Sequence, residues 1–330
     1  MLELIKKLMH WRIILKTANR KKNVFIIVGI ISAIVLCFII ALCLLVASRT
    51  SKGFLNNLSG DIAILRVEGE ISATEASLFS SNSYNHSWTL DQIDMLMNRP
   101  SNKGLILIVN TPGGGVYESD QLYLKLKQYK ETTNRPIYVY MTQMAASGGY
   151  YISMAADKIY ANRMTTTGSI GVIMSLIDTT EFQKKLGFKT ENIVSGKNKA
   201  MGNPLTSEQR LILQSMVDEM YNIFVSIVSE NRKMDIDKVK QLADGRIYSA
   251  LQAKELGLID AIGNFDDVVK DFKSTYNLED CSVNVLSQER RMFGGLMGIF
   301  SKRNQIDAIM DVINSEHTGK LMYYYDPQSY

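Results

Sequence analysis

The stretch Gly104–Gly115, GLILIVNTPGGG, sets the architecture of this chain. Five consecutive apolar residues, Leu105 to Val109, read as a strand buried on both faces, because a half-exposed strand would alternate apolar with polar side chains. Thr111-Pro112 and three glycines then break the strand. From Val116 to Lys130 the pattern changes, with Leu122, Leu126 and Tyr129 at helical spacing. A strand, a glycine turn and a helix in sequence make half of a βα crossover.

The same punctuation recurs on either side. Ile62–Val67 precedes it as a strand, with a polar, turn-rich stretch, Ser77–Trp88, between them. Pro136–Tyr140 follows as a strand and runs into MAASGGYYIS at 144–153. Lys158–Ala161, Thr165–Gly171 and Lys189–Val194 read as further short extended segments. Thr206 and Gln209 form a capping box at the head of a long helix, with Leu213, Val217, Met220, Phe224 and Val228 on one face. Strands alternating with helices imply an α/β fold around a mostly parallel sheet.

The N-terminal region has a different composition. Residues 1–22 carry seven basic side chains against one acid, Glu3, whereas the whole 330-residue chain has a net charge of only +4. A nucleic-acid-binding domain would spread a basic stripe over its folded part, so no nucleic-acid partner is expected. The basic run precedes Val24–Ser48, 25 residues without a charge and long enough to cross a bilayer. That length exceeds the apolar core of a cleaved signal peptide and favours an uncleaved anchor, while Val46-Ala47-Ser48 at its end keeps cleavage open, and the charge bias keeps the N-terminus in the cytoplasm. The expected organisation is therefore a basic cytoplasmic segment at 1–23, a transmembrane anchor at 24–48, and a linker at 49–60. An extracytoplasmic domain at 61–289 and an apolar tail at 290–330, glycine-rich over Arg290–Phe300, follow. The tail reads either as a subunit contact or loose terminus, or as a segment directed to the membrane surface or to an active site.

Several chemistries are excluded. Of three cysteines, Cys37 and Cys43 lie in the apolar span and Cys281 is alone beyond it, so neither a disulfide nor a cysteine metal cluster is available there. The histidines are His10, His86 and His317; neither His86, in the polar stretch, nor His317, in the tail, lies in a segment that reads as rigid enough for a Ser-His-Asp triad. No HExxH occurs. Glu118 occupies the third-glycine position of a dinucleotide fingerprint, and neither Gly-Lys pair continues as a phosphate loop. No cofactor or metal is expected.

Two turns are left that resemble site construction. Gly113–Gly115 leave backbone N–H groups uncovered at the start of a helix, as an anion or a developing oxyanion requires. Ser147, flanked by Ala145, Ala146, Gly148 and Gly149, sits at a second strand-to-helix turn. In a parallel sheet the two turns lie side by side at the strands' carboxyl ends, a nucleophile beside an oxyanion hole. With histidine scarce, the base would be a lysine, which works only where a dry site lowers its pKa from about 10.4 toward 7–8. Lys197 and Lys199 both end an extended segment, and spacing does not choose between them. The small residues beside Ser147 suggest shallow pockets for small or aliphatic side chains.

Four ordered motifs, NTPGGG at 110–115, MAASGGYYIS at 144–153, TGSIGVI at 167–173 and SGKNK at 195–199, together resemble the signal peptide peptidase A family. The resemblance covers about residues 61–290 and matches that family's short, single-domain form. It implies a ClpP/crotonase-type fold and a membrane-anchored serine protease that uses a Ser/Lys dyad on apolar, extended peptides such as signal-peptide remnants. It further implies a homo-oligomeric ring in which neighbours can complete one another's sites. On this likeness Ser147 is the nucleophile, Lys199 rather than Lys197 the general base, Ser169 the residue that orients the lysine, and Gly114 an oxyanion donor. Two alternatives share the fold: an acyl-CoA enzyme, which export away from CoA disfavours, and a non-catalytic membrane-tethered ring or scaffold.

Overall fold

The computed structural model describes residues 36–40, 60–73, 84–202, 204–287 and 321–324. The chain divides into two units at residues 58 and 59. In the first, residues 36–40 are helical, and Leu36, Phe38, Ile39 and Ile40 are exposed. The rest of the expected anchor, and most of the tail, lie outside the described residues.

The second unit is built on a sheet of eight strands. They are β1 (Asp61–Glu68), β2 (Asn102–Thr111), β4 (Ile137–Ala146), β5 (Lys158–Ala161), β6 (Thr166–Gly168), β8 (Ile247–Ser249), β9 (Ala261–Ile262) and β10 (Ser282–Val285). The order β10-β1-β2-β4-β5-β9 is parallel throughout; β6 continues the parallel pairing at the far end of β4, and only β8 pairs antiparallel, to β6. β3 (Gly113–Gly115), β7 (Ile173–Met174) and β11 (Leu321–Tyr324) make a second, three-stranded sheet in the order β3-β11-β7. The α/β class and the mostly parallel sheet agree with the sequence reading.

The apolar run of β2 is buried on both faces, as its composition required. Leu105, Leu107 and Val109 join Leu65, Val139 and Met141 in one core. Ile106 and Ile108 join Ile62, Ile64 and Tyr138 in the other, which the helix Phe265–Tyr276 covers with Val268 and Phe272. The helix Val116–Thr133 buries Leu122, Leu126 and Tyr129 against the first core. At this density, truncating one such residue costs about 2–5 kcal/mol.

Three local expectations change. Ser77–Trp88 is not all loop: His86 starts the helix His86–Met97, capped by the Asn85 side chain, which accepts from Trp88 N at 2.9 Å. His86 is buried, with Nδ1 2.6 Å from the Tyr84 hydroxyl and Nε2 2.8 Å from Gln121 Oε1. It is held firmly after all, yet among tyrosine and glutamine, with neither a carboxylate nor Ser147 among those ring contacts. Lys189–Val194 forms no strand and is exposed, because no sheet edge meets it. Residues 321–324 of the tail do form a strand, β11, seated on the glycines of β3.

Candidate active site

Strand register brings three of the four sequence-predicted residues together. β2 and β4 pair up to Thr111 and Ala145, and β4 and β6 pair up to Ala146 and Gly168, so three chain turns leave the sheet side by side. They carry Gly113–Gly115, Ser147 and Ser169. Ser147 N donates to Gly168 O at 2.8 Å, and Ser169 N donates to Arg246 O at 2.8 Å. Ser147 is 1% exposed and Ser169 6%.

Both serines sit in unusual backbone conformations. Ser147 has φ 51° and ψ −113°, and Ser169 has φ 49°. A non-glycine residue held there costs of order 1–3 kcal/mol and persists only where its surroundings fix it. For Ser147 those surroundings are the end of β4 and the short helix Gly148–Ser153, whose six residues are all buried.

The glycine strand explains its own composition. Gly113 O accepts from Ile71 N at 2.8 Å, and Gly115 N donates to Ile71 O at 2.9 Å. Amide groups alternate sides along a strand, so the Gly114 N–H faces the other way, toward β11. A Cβ on Gly114 would lie 1.9 Å from Ile71 O, and Gly113 has φ +109°. Neither position accepts a side chain without moving backbone.

β11 runs antiparallel to β3 with Tyr323 opposite Gly114, and to β7 with Leu321 opposite Met174. A Cβ on Gly113 would lie 2.0 Å from the Tyr323 carbonyl oxygen and 2.7 Å from Gly148 N, so all three crowd one point. The Tyr323 ring is fully buried. It stacks on Tyr151 at 4.7 Å, packs on Phe224 at 4.8 Å, and donates its hydroxyl to Met220 O at 3.0 Å. Tyr151 in turn donates to Asp120 Oδ1 at 2.6 Å, and burial pushes both phenols well above the usual tyrosine range. The groove thus holds a large aromatic side chain, and Ala145 and Ala146 are buried in the sheet.

Lys199 stands apart from this cluster. It lies in an exposed turn, its N donating to Gly196 O at 3.0 Å, and no hydrogen bond or ion pair among the described residues joins it to Ser147 or Ser169. Lys197 forms a surface pair with Glu208 at 2.8 Å. The arm from Ile173 to Met201 that carries both lysines is largely exposed, including Phe182, Leu186, Phe188 and Ile193. No group of His, Cys, Asp and Glu among the described residues is arranged to hold a metal ion. Among those residues, Ser207–Arg232 is the helix long and apolar enough to cross a membrane by length and composition, and it packs Phe224, Val225 and Val228 into the core of this unit.

Comparison with known proteins gives a consistent likeness. The model of peptidase family S49 matches residues 129–279. A protein of Enterococcus faecium named "Putative signal peptide peptidase SppA" is 38% identical over 280 residues, 80% of each chain. The chloroplastic serine protease SPPA of Arabidopsis thaliana is 32% identical over 66% of this chain and 32% of its own. Protease 4 of Haemophilus influenzae is 30% identical over 71% of this chain and 38% of its own. Among solved structures, a ClpP1 mutant of Listeria monocytogenes aligns with 66% of this chain and 98% of its own, at a TM-score of 0.41 and 17% identity.

Proposed function

Because the chain belongs to peptidase family S49 and is a serine protease, we propose that it is a membrane-anchored endopeptidase with a Ser/Lys dyad. Its substrates are extended apolar peptides, signal-peptide remnants among them, at the outer side of the cytoplasmic membrane. The anchor is residues 24–48, single-pass with a cytoplasmic basic segment at 1–23; the protease domain is 61–289, joined by the linker 49–60 and followed by the tail 290–330. The exposed apolar side chains at Leu36, Phe38, Ile39 and Ile40 support a lipid-facing helix.

In this reading Ser147 attacks the peptide carbonyl while neutral Lys199, held by Ser169, takes its proton. The N–H of Gly114, joined by that of Gly148, stabilises the oxyanion; Lys199 then protonates the leaving amine, and water releases the acyl-enzyme. A lysine does this only when desolvated, and the exposed Lys199 needs a covering surface. A neighbouring copy in a homo-oligomeric ring supplies it, through the arm whose Phe182, Leu186, Phe188 and Ile193 are exposed.

The observation that carries the proposal is β11. An extended segment lies antiparallel on the glycines with a carbonyl crowding Gly113 and Gly148, the pose of a substrate strand. A cavity lined by Val116, Tyr117, Tyr151, Met220 and Ile223 adjoins the Tyr323 side chain, which points to substrates with large apolar residues at that position.

Hydrolysis of fluorogenic apolar peptides by the full chain tests this. Activity is expected to require Ser147 and Lys199 and to survive Lys197→Ala. An assembled, folded wild type with no activity on such peptides would favour a scaffold, and activity surviving Lys199→Ala would remove the dyad.

A further inference from the structure

The helix Val116–Thr133 starts directly after the glycines of β3, which brings its first turn beneath the Ser147 turn. Ser119, in that turn, is fully buried. Its Oγ is one of two buried side-chain polar atoms without a hydrogen-bond partner among the described residues, the other being Arg99 Nε. A serine inside a helix ordinarily bonds the carbonyl of the preceding turn; Ser119 Oγ makes no such bond among the described residues. Leaving a buried hydroxyl unpaired costs stability and calls for a reason.

The direction of the hydroxyl supplies one. A Cβ on Gly148 would fall 2.5 Å from Ser119 Oγ and 3.1 Å from the Tyr323 carbonyl oxygen. The glycine after the nucleophile therefore keeps open one small space, shared by a free hydroxyl and the carbonyl seated in the groove. The same carbonyl oxygen crowds Gly113 and is faced by the Gly114 N–H.

We propose that Ser119 is a further catalytic residue, a hydroxyl donor to the oxyanion that forms when Ser147 attacks. This rests on the reading of Ser147 and Gly114 given above. A planar peptide carbonyl is held by the backbone donors and makes no bond to Ser119. As the Ser147 Oγ–carbon bond forms, the π pair of the C=O bond moves onto oxygen and the serine proton passes to the base. The oxygen, now negative and singly bonded, leaves the former amide plane toward the space above Gly148, where Ser119 Oγ–H donates to it. A bond absent from the ground state and made in the transition state raises kcat rather than lowering KM. The unpaired hydroxyl of the resting fold is the cost of that arrangement.

The test uses the detergent-solubilised full chain, a fluorogenic apolar peptide, a peptidyl boronic acid that forms a tetrahedral adduct at Ser147, and a non-reactive peptide of the tail sequence. Ser119→Ala is expected to lower kcat by on the order of 10²-fold with KM little changed. Boronate inhibition should weaken by a similar factor, tail-peptide binding should be unchanged, and Tm should hold or rise. Ser119→Cys, close in size but a weaker donor, should fall between, and it serves if the alanine variant is poorly folded. If both variants keep wild-type kcat and boronate inhibition while Ser147→Ala is inactive, Ser119 only packs and the inference is wrong. If the wild type shows no Ser147-dependent hydrolysis, the serine-protease reading of the site fails and this one with it.

Discussion

The strand ends carrying Gly114, Ser147 and Ser169 and the arm carrying Lys199 are built on opposite terms. At the strand ends every position is fixed by register, the two serines are buried, and their strained backbones are bonded to Gly168 and Arg246. The arm from Ile173 to Met201 has one short helix, Thr180–Lys185, with no buried residue, and Ile193 is fully exposed. Burial of apolar surface contributes about 25 cal/mol per Å², so the largely exposed arm gains little from the chain it belongs to. The fold by itself thus buries the proposed nucleophile beside the proposed oxyanion donors, and leaves the proposed base on an exposed surface.

The largest effects should come from removing either half. Ser147→Ala and Lys199→Ala are each expected to lower kcat by on the order of 10⁴-fold or more. Lys199→Ala should leave Tm within the small range typical of exposed substitutions, and peptide hydrolysis with thermal melts of both variants checks the pair. A large Tm loss in Lys199→Ala would mean that the lysine is already packed, and the contrast between the regions would dissolve.

Next in size is Gly114→Ala. Its methyl would meet Ile71 O at 1.9 Å, so β3 must shift. A fall in kcat of about 10²–10³-fold is expected from the displaced N–H, with a lower Tm. The arm should respond differently. Phe188→Asp combined with Ile193→Asp should dissociate the assembly and abolish activity with Tm nearly unchanged, which sedimentation and melting read together. Activity in a demonstrated monomer would show that Lys199 reaches Ser147 within one chain.

The contrast also explains what was legible in the sequence. Leu105–Val109 declared a doubly buried strand, and the turns at Gly113 and Ser147 could be placed side by side because parallel strands end on one edge. Lys189–Val194 misled because Ile193 and Val194 look like strand residues, while whether a sheet edge meets them is not local information. Leu321–Tyr324 was legible as part of an apolar tail, with direction to an active site among its readings, but not as a strand, since its partner lies some 200 residues away. The Asn85 cap ahead of an amphipathic stretch was a signal for the helix that holds His86. Ser119 gave no signal: a serine in VYESDQ looks like a solvated helix residue until the fold buries it with no hydrogen-bond partner among the described residues.

A smaller effect separates the tail from the groove it fills. If β11 occupies the substrate site, deleting residues 321–330 removes a tethered competitor, which acts at an effective concentration in the millimolar range. Activity on dilute peptide should rise by about 10-fold through KM, with kcat unchanged. Loss of the Tyr323 ring from between Tyr151 and Phe224 should cost about 1.5–3 kcal/mol, visible as a lower Tm. Unchanged KM would mean that β11 leaves the groove in the assembled protein.

The smallest effect belongs to the turn behind Ser169. Arg246, whose carbonyl receives the Ser169 N–H, is held by its own guanidinium on Asp244. The side-chain hydrogen bonds from Arg246 pull the Asp244 carboxyl from its ordinary 3.8 to about 2. A depressed carboxylate contributes its stability above the unfolded value and loses it as pH falls through the folded one. The turn should therefore be indifferent to pH from 5 to 9 and loosen only between about 4 and 2. Because the pair is exposed and screened, Asp244→Asn should change kcat and Tm only slightly. An activity profile between pH 5 and 9 that Asp244→Asn displaces would show that the turn behind Ser169 titrates with the site, against this expectation.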